Sequence, residues 1–515
     1  MFRVKLAIIL SSIGIVSYSQ NDLDAIRYSG IGGGGSARFT SMGGAFGAVG
    51  ADLSTASYNP AGLGLFRKGE ISLTAGFRAT NNTGEIYKKS TSIFDLNVVF
   101  NNFGIAAAWK AANDPDSRHV IAFANTQLQN FNNSFRSTGY TNSSSIGKDM
   151  LNLASYYNYS GNLTGNLNPM YEGLGYRAYL MEIDSLYMEF FSFEDTKRTV
   201  KQTRDIVTSG RVNDLNFSYA YAYKDKFYFG ASLGLPQLSY ESTTTHVEED
   251  DRDSMRVILT SDSTFTDTYV DPLPFLPAAY EGRLGFKSLE YTEYFKTSGS
   301  GFNLKLGGIA RLNDFFRLGL YYHTPTIYNL QDTYYNELTV AFDGSGSTPD
   351  YAKYPDNGGI YKYRIITPGK VSINAAIVIK KLAVIGIDYE MVNYRSARLA
   401  SKDLSDFDGV NSTIKTKYKA GHNIRVGGEL NLNPVMLRLG YQMQGSPFGE
   451  VFSGDFVRNT FSGGIGFRTK NNFYFDFVVY KTLSAENYYL FTTLDTKSKL
   501  KYNSTTLSVT VGIKF

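Results

Sequence analysis

The last nine residues of the chain, LSVTVGIKF, alternate without a break. Leu507, Val509, Val511, Ile513 and Phe515 fall on one face of an extended segment, and Ser508, Thr510, Gly512 and Lys514 on the other. A repeat of two is the signature of a strand with one apolar and one polar side. The pattern returns from about Gly69 onward. Leu215, Phe217, Tyr219, Tyr221 and Tyr223 share a face; so do Phe227, Phe229, Ala231, Leu233 and Leu235. Phe302, Leu304 and Leu306 stand opposite Asn303, Lys305 and Gly307. The fold class is all-β, and 39 Tyr, 36 Phe and 50 Gly suit strands joined by turns.

The connections come in two sizes. Tight turns read KDK at 224–226, LND at 312–314, KK at 380–381, NP at 433–434 and KNN at 470–472. Long mixed loops cover residues 137–198, 246–285 and 398–415. Fourteen strands follow: 69–79, 92–107, 118–137, 198–222, 226–246, 286–312, 315–341, 357–380, 382–396, 415–431, 434–444, 456–469, 472–485 and 502–515. An even count, with short turns at one end and long loops at the other, predicts a fourteen-stranded antiparallel transmembrane β-barrel. Alternation alone does not say which way the apolar faces point, and a soluble sandwich would turn them inward. The loop asymmetry, the aromatic Phe515 and the character of the first residues favour lipid.

Those first residues place Arg3 and Lys5 before an apolar run at 6–16, followed by SYSQ with small residues at Ser17 and Ser19. That order predicts a signal peptide over 1–19, too short to span a bilayer. Export points to the outer membrane of a Gram-negative cell. Phe515 points to the barrel assembly machinery as a partner, and the apolar faces to outer-membrane lipids.

Other classes are excluded by what is missing or misplaced. A net charge of +4 over 515 residues argues against nucleic acid. The absence of cysteine removes disulfides, thiolate metal sites and cysteine nucleophiles. GIGGGG at 30–35 has the spacing of a dinucleotide loop, but no strand precedes it. His119, His246, His323 and His422 are scattered, and EEDDRD at 248–253 lacks the glycine of a calcium loop. No enzyme, cofactor or metal site is expected.

Several segments carry candidate roles. Spaced apolar residues in SSIGKDMLNLASYY and NPMYEGLGYRAYLMEI predict short helices in the loop 137–198, as a lid or as packing over the barrel mouth. DPLPFLPAAY at 271–280 sets Leu273, Phe275 and Leu276 on an outer loop, either to capture a greasy ligand or to pack on a neighbouring loop. If the polar faces line a lumen, Lys305, Arg311, Arg317, Asp388, Arg425, Glu429, Arg438 and Arg468 face it. They pair with one another, or one or two of them, with Lys305, Arg317 and Arg425 foremost, receive a carboxylate headgroup.

Ahead of the first strand, TASYNPAGLG at 55–64 breaks a helix-compatible stretch at Asn59-Pro60. GSARFTSMGGAFGAVGADLSTASYNPAGLGLF, followed by ISLTAGF, resembles the N-terminus of the FadL family of outer-membrane hydrophobic-compound transporters. The resemblance implies a hatch over 20–66 that ends in the motif Asn59, Pro60, Ala61 and gates a barrel over 67–515. It implies passive uptake of long-chain fatty acids or other hydrophobic or amphipathic molecules, with a lateral exit through a kinked wall. The third strand, 118–137, holds neither Gly nor Pro, so no kink is expected there. Two alternatives stay open: a secretion-associated shuttle or attachment barrel, and a haem or nonspecific porin-type receptor.

Overall fold

The apolar faces of the strands point outward. The computed structural model describes residues 22–30, 32, 34–112, 114–157, 164–184, 189–192, 198–255, 285–343, 348–402, 405–449 and 457–515. The expected signal peptide and Leu273, Phe275 and Leu276 lie outside the described residues. On the last strand Leu507 and Val511 are 47% and 45% exposed, while Ser508 and Thr510 are fully buried. A soluble sandwich would show the reverse. Trp109, Tyr223, Phe227, Phe316, Phe473 and Phe515 are exposed near the short-turn end, the aromatic girdle expected where a barrel leaves the hydrocarbon.

Fourteen antiparallel spans close on themselves. They are β1 (Glu70–Ile86), β2 (Lys89–Ala111), β3 (Asp114–Asn130, resuming as Asn133–Thr141), β4 (Val200–Tyr223) and β5 (Phe227–Glu249). Next come β6 (Phe286–Arg311), β7 (Phe316–His323 and Ile327–Phe342), β8 (Asp350–Ile366 and Lys370–Ile379) and β9 (Ala383–Asn393 and Arg398–Ala400). The last are β10 (Ala420–Leu432), β11 (Val435–Gln444), β12 (Arg458–Arg468), β13 (Phe473–Tyr489) and β14 (Lys497–Lys514). β14 pairs with β1 from Lys514↔Glu70 to Lys499↔Glu85, which closes the wall and leaves no edge at the seam. Pro325 and Pro368 sit in the gaps of β7 and β8, where a residue without an N–H interrupts the ladder.

Each predicted strand corresponds to one span, with three corrections to the bounds. The first two strands run on through 80–86 and 89–91 to a two-residue outer turn at Tyr87-Lys88, residues 394–396 of the expected ninth strand form a short helical turn, and the tenth strand starts late. Residues 415–417, expected to open the tenth strand, belong to the helix Asp408–Lys417, which buries Ile414. The local sequence DGVNSTIKTK has an acidic first turn and a basic last turn, and that dipole match outweighs its β-branched residues.

The loop between β3 and β4 forms the two expected helices, α1 (Ile146–Tyr157) and α2 (Glu172–Arg177). Ile146, Met150, Leu174 and Leu180 pack with Phe286, Leu289, Leu338 and Val340 on the outer ends of the strands. Asp149 ties the cap down by accepting from Tyr171 Oη at 2.9 Å and from the Thr493 amide at 2.6 Å. Glu172 is buried beside this cluster, its Oε2 has no hydrogen-bond partner, and burial pushes its carboxyl up to about 7. Because the folded value lies above the ordinary 4.5, the packed cap is favoured below 4.5 and loses that support as pH rises through about 7. Amide protection factors in residues 164–184, taken relative to the intrinsic exchange rate at each pH, are therefore expected to fall between pH 5 and 8, with Glu172→Gln flattening the fall; wild-type protection that does not change with pH would refute the assignment.

Candidate lumenal site

Inside the barrel, a segment from Ser36 to Phe66 is built from short capped turns rather than strands. Ser36 caps α3 (Ala37–Ser41) by accepting from the Phe39 amide at 3.0 Å, and Asp52 caps the turn Leu53–Ser57 by accepting from the Ser54 amide at 2.9 Å. Asn59 caps Pro60–Leu65: its Oδ1 accepts from the Ala61 amide at 3.2 Å while its Nδ2 donates to Gly47 O at 2.6 Å. Pro60 opens that last turn, where a missing N–H leaves nothing unpaired. Asn59, Pro60 and Ala61 are fully buried.

The wall is shaped to this segment. A Cβ at Gly307 of β6 would lie 1.9 Å from Asn59 Oδ1, and one at Gly230 of β5 would lie 2.3 Å from Pro60 C. Only glycine lets the strands approach so closely. His323 Nε2 donates to Tyr58 O at 2.6 Å, Asn216 Nδ2 to Ser57 Oγ at 2.9 Å, and Asp388 Oδ2 accepts from the Gly47 amide at 2.9 Å.

The three candidate carboxylate receptors have different surroundings. Lys305 is buried against Asp214 at 2.9 Å and also donates to Asn216 and Asn303. Arg425 is buried against Glu390 at 3.1 Å, donates to Tyr321 Oη, and sits 5.7 Å from the Tyr58 ring. Arg317 instead donates to Val49 O at 3.0 Å, and no carboxylate pairs with it among the described residues. Of the other lumenal candidates, Arg38 of the inner segment, Glu429, Arg438, Asp476 and Arg468 form one chain of ion pairs, while Arg311 pairs with Asp314 at a turn. The counter-charges Asp214, Glu390 and Asp476 were missed in sequence, although their parity was legible. Each lies an even number of residues from an inward polar neighbour: Asn216, Asp388 and Tyr474.

Beyond the Asn59 turn, on the long-loop side, aromatic side chains crowd the interior around the Arg27–Asp24 ion pair, with Arg27 4.4 Å from the Tyr240 ring. Tyr28 stacks edge-on against Phe131 at 6.2 Å and Tyr240 at 6.0 Å, with Leu128, Tyr328 and Tyr363 in the same cluster. Beside it the wall opens. The β2–β3 ladder ends at Asn102↔Thr126, so residues 89–100 of β2 pair only with β1. The absence of Gly and Pro led to the expectation of an uninterrupted third strand, but β3 breaks at Phe131–Asn132. Asparagine side chains take up backbone groups around the one ladder bond that persists there, from the Phe131 amide to Gly210 O at 2.9 Å. Asn130 Oδ1 accepts from the Asn132 amide, Asn132 Oδ1 accepts from the Gly210 amide, and Asn133 Nδ2 donates to Phe131 O. Local side-chain bonds of this type offer the backbone an alternative to the sheet ladder. The GIGGGG stretch explains itself here: the Gly32 amide donates to Leu128 O, Gln129 Nε2 donates to Gly30 O, and a Cβ at Gly34 would collide with Gln127 O.

A crystal structure of a Pseudomonas aeruginosa FadL homologue matches this architecture with a TM-score of 0.53, at 12% identity over 95% of this chain and 100% of that one. The chain has the fold of a FadL homologue. The Pseudomonas putida toluene transporter TodX is also similar, with a TM-score of 0.49 and 12% identity over 95% of this chain and 100% of that one. No family model matches the chain, and no curated protein matches it in sequence. The FadL-type fold is thus carried by topology, with little left in residue identity.

Proposed function

We propose that the protein is an outer-membrane transporter for passive uptake of hydrophobic or amphipathic small molecules, long-chain fatty acids among them. The Ser36–Phe66 segment acts as its hatch. The observation that carries this reading is the sequence of environments along the lumen. An aromatic-rich interior lies beside a break in the wall, and the path toward the short-turn end is occupied by buried, capped turns seated on glycine. An open water-filled pore would have no use for such a segment. The FadL-type fold supports the reading, as does a lipid-compatible outer face. Leu273, Phe275 and Leu276 remain candidates for first capture, and Asn59, Pro60 and Ala61 for the hinge.

Pro60 fixes one backbone angle in the turn that meets β5 and β6. Pro60→Ala raises the chain entropy of the released hatch by an amount equivalent to about 0.4–1 kcal/mol, or roughly two- to fivefold in an opening equilibrium. Uptake of a fluorescent fatty acid into proteoliposomes is expected to rise by that factor while the barrel still assembles. Normal assembly with unchanged uptake removes Pro60 from the gate.

A further inference from the structure

At the short-turn mouth a cavity of about 310 Å³ opens between the inner segment and the wall. Its lining holds seven basic side chains and two carboxylates. Both carboxylates are already engaged: Asp225 by Arg67 and Arg118, and Glu429 by Arg38 at 2.9 Å and Arg438 at 2.6 Å. Arg311 pairs with Asp314 at 2.6 Å on the adjoining turn. Arg317, Lys380 and Lys381 are left facing the cavity with no carboxylate partner among the described residues. A concave site with surplus positive charge favours an anion, and a guanidinium bound only to a neutral carbonyl gains by exchanging it for a charged oxygen.

The acceptor that Arg317 now holds makes this site more than a basic surface. Val49 O belongs to a turn in which Gly50 has φ +65° and Ala51 has φ +55°, a left-handed conformation unusual for alanine. Arg38 Nη1 donates to Ala51 O at 2.9 Å, and the Ala51 amide donates to Gly62 O at 2.9 Å, inside the Pro60–Leu65 turn. An oxyanion on Arg317 would therefore loosen a strained turn that is bonded directly to the Asn-Pro-Ala segment.

We propose that this cavity binds a small oxyanion, a carboxylate or a phosphate, and that binding competes with Val49 for Arg317 and so loosens the hatch from the short-turn side. The binding site stands by itself; its effect on the hatch rests on the uptake reading.

Calorimetry on the full-length protein in dodecyl maltoside separates the two sources of an oxyanion, with hexanoate and inorganic phosphate as probes. Saturable binding of either is expected, weakened about tenfold by Arg317→Gln and by the double change Lys380→Gln/Lys381→Gln. Hexanoate alone identifies the head of an amphiphile, phosphate alone a free anion, and both the shared chemistry. The two lysines lie exposed on a turn, so their loss leaves the barrel intact. Absence of binding by both probes, or binding unmoved by either variant, overturns the site.

The coupling is read separately. The chain lacks cysteine, so Val49→Cys gives a single thiol while preserving the backbone carbonyl. The bound probe is expected to speed its maleimide labelling several-fold, and not in the Arg317→Gln background; unchanged labelling overturns the coupling even where binding holds. Neither readout involves transport, so failure of the uptake reading would leave the binding result standing.

Discussion

Gly307→Ala is expected to open the barrel. The new methyl would stand 1.9 Å from Asn59 Oδ1 and 3.1 Å from the Ala61 amide. β6 is held by ladders on both sides, Gly307 pairing with Gly230 and with Tyr321, so the wall does not yield. The displacement falls on the inner segment, whose Asn59 cap and bond to Gly47 O are lost together. Overpacking of this kind costs about 1–3 kcal/mol, which shifts a closed-to-open balance roughly tenfold for each 1.4 kcal/mol. Planar-bilayer conductance should rise by about one to two orders of magnitude on that scale. Gly308→Ala is the matched control, because a Cβ there meets only Tyr228 O at 4.0 Å. Equal conductance in both variants would mean that the inner segment does not close the lumen.

The second large effect concerns stability. Arg425→Met removes the guanidinium from Glu390 and leaves a buried carboxylate with two neutral donors, Tyr321 Oη at 2.8 Å and Asn423 Nδ2 at 2.9 Å. Stranding one partner of a buried ion pair costs about 3–5 kcal/mol, whereas replacing both by apolar groups is near neutral. Urea unfolding in detergent micelles should show that loss for Arg425→Met and recovery of most of it in Arg425→Met/Glu390→Met. If the single variant unfolds like the wild type, the pair is not structural, and Arg425 returns as a free receptor for ligand. The contact between Arg425 and Tyr58 makes the same substitution loosen the inner segment as well.

Much of the wall was legible because the sequence repeat and the structural repeat are the same length. Once Ser508 and Thr510 alternate with Leu507, Val509 and Val511, a strand is the only local answer, and the tight turns delimit it. Asn59-Pro60-Ala61 was legible as a motif, since a capping side chain and a proline act on their immediate neighbours. The candidate charges were harder. Parity placed Lys305 and Arg425 inward, but it could not say that Asp214 and Glu390 would meet them. Those partners lie on other strands, and their distances are set by stagger around the barrel. The break in β3 was misjudged for a related reason. Glycine and proline are the usual markers of a kink, while Asn130, Asn132 and Asn133 act through hydrogen bonds whose partners include Gly210 of the neighbouring strand.

By itself, then, the sequence determined fourteen alternating strands, short turns at one end, long loops at the other save the Tyr87-Lys88 turn, and a capped segment ahead of the first strand. These follow from forces acting over a few residues. The tertiary structure alone decided that the apolar faces look outward, that the wall parts between β2 and β3, and that Arg317 is bound to a backbone carbonyl while Lys305 and Arg425 are neutralised. Each depends on closure, because only when β14 meets β1 does a strand acquire an inside, an outside and a fixed set of neighbours.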